Sequence, residues 1–479
     1  MQPPRDLTGT QARPLKAPEL RVPPDSPRHR YPALPEKSNA LLMSLLAQLE
    51  QSQWWEPERV HEQQFLQLAT LLEFVQGSIP YYRQRLSEAG IECDQDIQQD
   101  WERIPVLTRQ QLQTNVQRLR VRKPPPGHRQ LGMAQTSGST GTPVRVATTE
   151  TTRLLWNAFV LRDHYWHRRD FGATLAAIRH FGEKIDAAYP DGLRLPDWGA
   201  PVNLLHASGP AVALDIFTDP ERQLEWLLRQ NPDYLITFPS NAAALAQHSL
   251  VEDISLPKLR EVRLVSEPVD DGLRSSIHDA WGVPVVDTYS AQETGTLALQ
   301  CPEYGVYHVQ SENVLLEVVD PDGQPCKPGE TGRVLVTTLH NYAMPLVRYE
   351  IGDFATVGES CGCGRGLPVL TRITGRVRNM LVLPGGETHW PNLAATFYRQ
   401  VAPVIQHQLV QHDLEHLEAR LVVERALTRD EEEALRAMIV GRIGHPFSVE
   451  FSYPDHIGRS RSGKYEEFVS HVKQERKTS

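Results

Sequence analysis

Residues 135–146 read QTSGSTGTPVRV. Six consecutive residues, Thr136, Ser137, Gly138, Ser139, Thr140 and Gly141, are glycine or carry a hydroxyl. Glycines let the backbone curl so that successive N–H groups converge on one anion, and the hydroxyls add donors. Pro143 ends the curl. A Ser/Gly/Thr linker has the same composition. This stretch is short, however, and lies between the apolar-rich LGMAQ and the β-branched VRVATT. It reads as a loop that holds phosphate. It has no lysine where a Walker-type loop needs one, so the cation facing the phosphates must come from elsewhere in the chain.

Downstream, short β-rich runs (ATLAAI, DYLITF, EVRLVS, VPVVDTY) alternate with helical ones (ERQLEWLLRQ, NAAALAQHSL, DDGLRSSIHDA). That alternation predicts an α/β domain with a mostly parallel sheet. From about residue 305 to 379 the runs VYHVQSENVLLEVVD and GRVLVTTLH, joined by turn-rich PDGQPCKPGE, predict a β-rich subdomain. From 380 to 479 two strand-like runs, the charged helix RDEEEALRAMIVGRI and FSVEFSY predict a small α+β domain. Upstream, residues 39–120 repeat apolar residues at three- and four-residue steps, as packed helices do. Residues 1–38 hold nine prolines and few large apolar side chains. They bury too little surface to offset ordering and read as an extended tail. The expected units are therefore a tail (1–38), a large domain (39–379) and a small one (380–479).

The chain has 479 residues and a net charge of −9. An acidic balance argues against nucleic acid and anionic membrane as partners. No apolar run approaches the roughly 20 residues of a membrane span, and MQPPRDLTGT lacks a signal-type apolar segment. A cytoplasmic protein is expected, with its oligomeric state open. Five cysteines in this length do not make a disulfide framework.

TSGSTGTP resembles the phosphate loop of the adenylate-forming superfamily of acyl- and aryl-CoA synthetases. Five further stretches resemble that family's motifs in the same order: SEPVDDGLR (266–274), DTYSAQETG (287–295), PLVRYEIGD (345–353), ITGRVRNML (373–381) and RSRSGKYEE (459–467). SIPYYRQRL, IPVLTRQQL, CPEYGVYHV and CGCGRGLP are similar to the phenylacetate–CoA ligase branch, including its capsule-biosynthesis relatives. The resemblance covers nearly everything after the tail. It implies a large adenylation domain and a small mobile C-terminal domain.

The implied reaction is attack of a carboxylate on the α-phosphorus of ATP, with pyrophosphate leaving. Two anions must be brought together, which requires donors and cations placed in advance. By resemblance, Thr136–Gly141 hold the β- and γ-phosphates and Glu293 holds Mg²⁺, a hard ion suited to carboxylate. Tyr289 stacks on adenine, with Asp287 and Glu267 bordering it. Asp353 accepts from the ribose hydroxyls, Arg376 contacts ribose or phosphate, and Asn379 is the hinge. The family commonly has an acidic residue or lysine at that hinge; here it is asparagine, which tolerates unusual backbone angles. Lys464 supplies the missing charge, bridging the carboxylate and the α-phosphate.

The substrate implied is a small carboxylic acid, with coenzyme A as the acceptor. Three alternatives stay open: an amine, carrier-protein thiol or hydroxyl acceptor; transfer of AMP itself; and a nucleotide-binding scaffold that has lost catalysis. Cys301, His308, Cys361 and Cys363 form a further set. Three thiolates and an imidazole complete a tetrahedral structural Zn²⁺ site, and some members of the resembled branch carry such residues at matching places. A group of free thiols beside an ordinary strand histidine is the other reading. His180, His206, His340 and His389 receive no role from the sequence.

Overall fold

The computed structural model describes residues 34–91, 97–135, 143–182, 185–376, 381–385, 387–389, 393, 395–460 and 463–472. The loop Thr136–Gly141, the hinge Asn379 and the tail through residue 33 lie outside the described residues, as does the side chain of Arg376.

The chain enters through helices. Lys37–Ser52 begins within the stretch expected to be tail. The helix Pro57–Ser78 starts with proline at its first position, where no N–H is needed. It buries Val60, Gln64, Leu68, Leu71, Leu72 and Val75, one face at helical spacing. Burying each large aliphatic side chain contributes about 1.5–3 kcal/mol. Strands β1 (Gln130–Gln135) and β2 (Arg145–Thr149) form an antiparallel pair that flanks the 136–142 loop. The helix Glu150–Trp166 follows, capped by a reciprocal Thr149–Thr152 box.

Twelve strands then build one sheet. In chain order they are β3 (Leu175–Arg179), β4 (Leu193–Leu195), β5 (Ala211–Asp215), β6 (Tyr234–Thr237), β7 (Glu261–Leu264), β8 (Val285–Ala291), β9 (Gly295–Gln300), β10 (Tyr307–Val309), β11 (Val314–Val319), β12 (Thr331–Thr338), β13 (Tyr349–Val357) and β14 (Val369–Arg376). Their spatial order is β11-β12-β13-β14-β10-β9-β8-β7-β6-β3-β5-β4. Strands β5, β3, β6, β7 and β8 run parallel, as the βα alternation predicts. From β8 to β11 every pairing is antiparallel. The β-rich part is thus continuous with the parallel part, and the change of character comes at β8–β9, a little before residue 305. The physical reason is the tight turn after Ala291, which sends the chain straight back instead of into a crossover helix.

The chain leaves β3 for β5 on one side and returns to β6 on the other. A sheet with such a reversal has a crevice at the carboxyl ends of those strands, where ligands bind in open α/β folds.

The small lobe has β15 (Leu381–Val382) paired with β16 (Thr388–His389). Its main sheet contains β17 (Val404–Gln411), β18 (His416–Val423), β19 (Ser448–Ser452) and β20 (Phe468–Ser470) in the order β19-β18-β17-β20. The helix Arg429–Ile443 is held at its start by a Thr428–Glu431 capping box and ends at left-handed Gly444. Leu409, Leu417, Leu421, Leu435, Ile439 and Phe468 pack in the lobe's own core. No helix among the described residues is long and apolar enough to cross a membrane.

Candidate active site

The stretch DTYSAQETG becomes β8 and the turn into β9. Ala291 pairs with Gly295, leaving Gln292, Glu293 and Thr294 as a three-residue loop. Gly295 has φ +86°, the left-handed geometry that such a hairpin requires. The turn places the buried Glu293 carboxylate 3.9 Å from the Arg109 guanidinium. Glu293 and Thr294 line a cavity of about 240 Å³ together with Ala134 and Val146, which flank the 136–142 loop. An oxygen donor beside those loop ends fits a hard cation such as Mg²⁺.

Tyr289 is buried on β8, and its hydroxyl donates to Asp353 Oδ2 at 2.8 Å. Asp353 lies on the same buried face of β13 as Ile351 and Ala355. A carboxylate on such a face is costly without a donor, and Tyr289 supplies one. Gly352, at φ +90°, lies where the β12–β13 register slips, a bulge immediately before Asp353. The glycine of the IGD motif is therefore a backbone requirement. Asp353 is the register partner of Arg376 across β13–β14. Two residues predicted for adenine and ribose thus touch, and the predicted arginine follows on the next strand.

The Asp287 and Glu267 carboxylates are both taken up by donors from the protein. Asp287 Oδ2 accepts from the Tyr307 hydroxyl at 2.7 Å, and Tyr307 also accepts from Arg274 at 3.1 Å. Burial pushes the Asp287 carboxyl up to about 6, opposed by that hydrogen bond and by Arg274. Glu267 Oε2 accepts from the Ser240 N–H at 2.9 Å, and Oε1 accepts from the Tyr465 N–H at 2.8 Å. Burial holds its carboxyl above the usual range. Both carboxylates serve neighbouring protein groups, which leaves their backbones and surroundings to border a base. The half-buried Lys464 comes in beside Tyr465. Gly463, just before it, reaches the segments beyond β3, β5 and β6, against His180, Ile216 and Phe238.

The cysteine set converges where β9 ends and β10 follows. The donor atoms of Cys301, His308, Cys361 and Cys363 all lie within 4.8 Å of one another. Cys361 and Cys301 sulfurs are 3.9 Å apart, and Cys363 Sγ is 3.3 Å from His308 Nε2. Tetrahedral zinc needs ligand atoms roughly 3.5–3.8 Å apart, so the residues fit the ion. Around them, Arg365 stands over the Trp54 and Trp166 rings at 4.8 and 4.4 Å. Gly366 donates its N–H to Gln53 O at 3.0 Å, and any Cβ on it would collide with the backbone of Trp55.

The sequence matches the AMP-binding enzyme family over residues 84–343, more than half of the chain. This chain belongs to the AMP-binding enzyme family. A second match, to the CapK C-terminal domain, covers residues 385–471. The phenylacetate-coenzyme A ligase of Thermus thermophilus is 26% identical over 396 residues, which is 78% of this chain and 81% of that one. The fold is shared with 2-hydroxyisobutyryl-CoA ligase in its postadenylation state with R3-HIB-AMP, at TM-score 0.68 and 20% identity over 88% of this chain and 91% of that one. The same ligase with 2-HIB-AMP and CoA in its thioesterification state gives 0.55 at 21% identity and equal coverage.

Within this AMP-binding enzyme, sequence reasoning missed Arg109, Tyr307 and Arg459. Arg109 precedes Glu293 by 184 residues, and although it lies in the IPVLTRQQL stretch, nothing there marks it as the partner of Glu293. Arg459 stands inside the quoted lysine segment, yet nothing in the sequence singles it out from Arg461.

Proposed function

We propose that the protein is an ATP-dependent acid–thiol ligase. It joins a small carboxylic acid to AMP with release of pyrophosphate, then passes the acyl group to coenzyme A. The observation that carries this reading is the docking of the Lys464 loop at the carboxyl ends of β3, β5 and β6. There it meets Glu267, whose carboxylate takes the Tyr465 N–H, in a chain of the AMP-binding family. The phenylacetate–CoA ligase likeness favours an aryl or similar acid and a coenzyme A acceptor.

In the mechanism, Asp353, pre-oriented by the Tyr289 hydroxyl, accepts from the ribose hydroxyls and fixes the nucleotide. The Tyr289 ring and the backbones near Asp287 and Glu267 border adenine, and Arg376 approaches ribose or phosphate. Thr136–Gly141 grip the leaving phosphates with backbone and hydroxyl donors. Lys464 holds the carboxylate oxygen against the α-phosphorus and offsets the charge gathering there. Glu293 would hold Mg²⁺, which supplies neutralisation of the pyrophosphate. Asn379 is the hinge about which the small lobe turns between steps.

We assign Cys301, His308, Cys361 and Cys363 to a structural Zn²⁺. Four protein ligands leave no open position for chemistry. The ion would tie the 361–367 loop to β9 and β10.

The deciding experiment is carboxylate-dependent exchange of labelled pyrophosphate into ATP across aryl, fatty and amino acids, followed by coenzyme A with the best acid. Exchange and a CoA thioester are expected. Folded protein that exchanges with none of the acids would overturn the reading. Exchange without thioester would move the acceptor to an amine, carrier thiol or hydroxyl.

A further inference from the structure

We infer that Arg459 and Glu267 are positioning residues that seat the Lys464 loop on the large lobe for adenylate formation and must let go for the second step. This rests on the role given to Lys464 above.

The loop is closed on itself: Ser460 N–H donates to Lys464 O and Gly463 N–H donates to Ser460 O, both at 2.8 Å. Arg459 fastens it. Its guanidinium donates to Gly463 O at 3.2 Å within the loop, and across the lobe boundary to Ser240 Oγ at 2.8 Å and Asn241 Oδ1 at 3.4 Å. The receiving side is rigid. The buried Asn241 donates from Nδ2 to Gln223 Oε1 at 2.7 Å and Thr237 Oγ1 at 3.0 Å, which leaves its oxygen facing Arg459.

Glu267 closes the other end. One carboxylate oxygen takes the Ser240 N–H in the first turn of the helix Pro239–Val251, and the other takes the N–H of Tyr465, the residue after Lys464. Ser266, immediately before Glu267, has φ +76°. A non-glycine residue held there is strained, and such strain marks sites where an orientation is imposed. A third tie, Arg399 to Gln247 Oε1 at 3.2 Å, reaches the same helix. Shape adds to these. Gly463 has φ +80°, and a Cβ on it would lie 2.8 Å from Ile216 Cγ2 and 3.0 Å from Phe238 Cε2.

What does not hold the lobes together matters as much. Among the described residues, the small lobe's apolar cluster contains only its own residues, and the clusters of the large lobe contain none from it. Seating therefore depends on a few directional polar contacts around Lys464. Such contacts fix geometry sharply and separate without exposing a large apolar face. The segment that carries the catalytic charge is also the segment that carries the latch.

The test compares wild type with Arg459→Ala, Arg459→Lys and Glu267→Gln. Hydrogen exchange of the peptide spanning 463–468 is read without substrates, since the Tyr465 amide is itself a latch donor. Arg459→Ala and Glu267→Gln should both exchange faster there. With phenylacetate as the acid, Arg459→Ala should lower pyrophosphate exchange about 100-fold, the cost of a small misplacement of a reacting group. Thioester formation from premade phenylacetyl-adenylate and coenzyme A should stay within about threefold, and Arg459→Lys should recover some of the first step. Equal loss of both steps, or unchanged hydrogen exchange, overturns the inference. If wild type exchanges no pyrophosphate with any acid, the ligase reading fails, and the hydrogen-exchange comparison alone decides the latch.

Discussion

At the cysteine corner, four donor atoms from three segments lie within 4.8 Å of one another, backed by Arg365 between two tryptophans. At the lobe boundary, Glu267 and Tyr465 meet through a single N–H, with Arg459 and Arg399 alongside. Both places join remote stretches of the chain. The corner does so with a closed donor set that leaves nothing for a substrate. The boundary does so with contacts that can break singly. The two joins are thus built from different chemistry, which suits the roles proposed for them: one to hold a loop to a sheet, the other to present a lysine and withdraw it.

That contrast is most sharply tested at Lys464. Lys464→Ala should lower pyrophosphate exchange by about 10²–10³-fold, as removal of one charge-stabilising group does, while melting stays within about 1 °C of wild type because a half-buried lysine holds little of the core. An equal fall in stability would make the boundary a structural join like the corner. Cys361→Ser is the mirror experiment. Wild type is expected to carry roughly one zinc per chain, and the variant should lose it and melt roughly 5–10 °C lower. Folded, metal-free wild type of unchanged stability would remove the zinc assignment.

Tyr289→Phe comes next. It deletes a donor to a buried carboxylate, worth about 1.5–3 kcal/mol. The expected result is a raised KM for ATP with a smaller change in kcat, read by steady-state kinetics. The smallest effect is at Asp287. Its folded-state carboxyl titrates at about 6, above the ordinary value of 3.8, because burial disfavours the charge. The folded protein therefore holds this proton more tightly than the unfolded chain does. Wild type is favoured below pH 4 and loses that advantage as pH rises through 6. Asp287→Asn removes the charge and keeps an acceptor for Tyr307. It should match wild type in denaturant near pH 4 and be more stable by about 1–2 kcal/mol at pH 8. The opposite trend would mean that Asp287 is stabilised as an anion.

Much of this was legible in the sequence because it is local. Strand and helix alternation, the turn-rich segments and the ordered motifs all reside in short stretches. What the sequence withheld was the partner of each side chain. Asp287 turns to Tyr307 because the return strand β10 brings a phenol to it, and Glu267 turns to Tyr465 across 198 residues of chain. Neither partner carries a composition signal.

The twelve-stranded sheet carries one more consequence. Its hydrogen bonds run from the parallel strands to the antiparallel ones through β7, β8 and β9 without a seam. Two apolar clusters that could have been separate domains are therefore laced together by backbone. In a calorimeter they should absorb heat as one cooperative transition, while the small lobe, with a core of its own, gives a second. The molecule would then come apart at the lobe boundary, near residue 380, and not between its α/β region and its β-rich region.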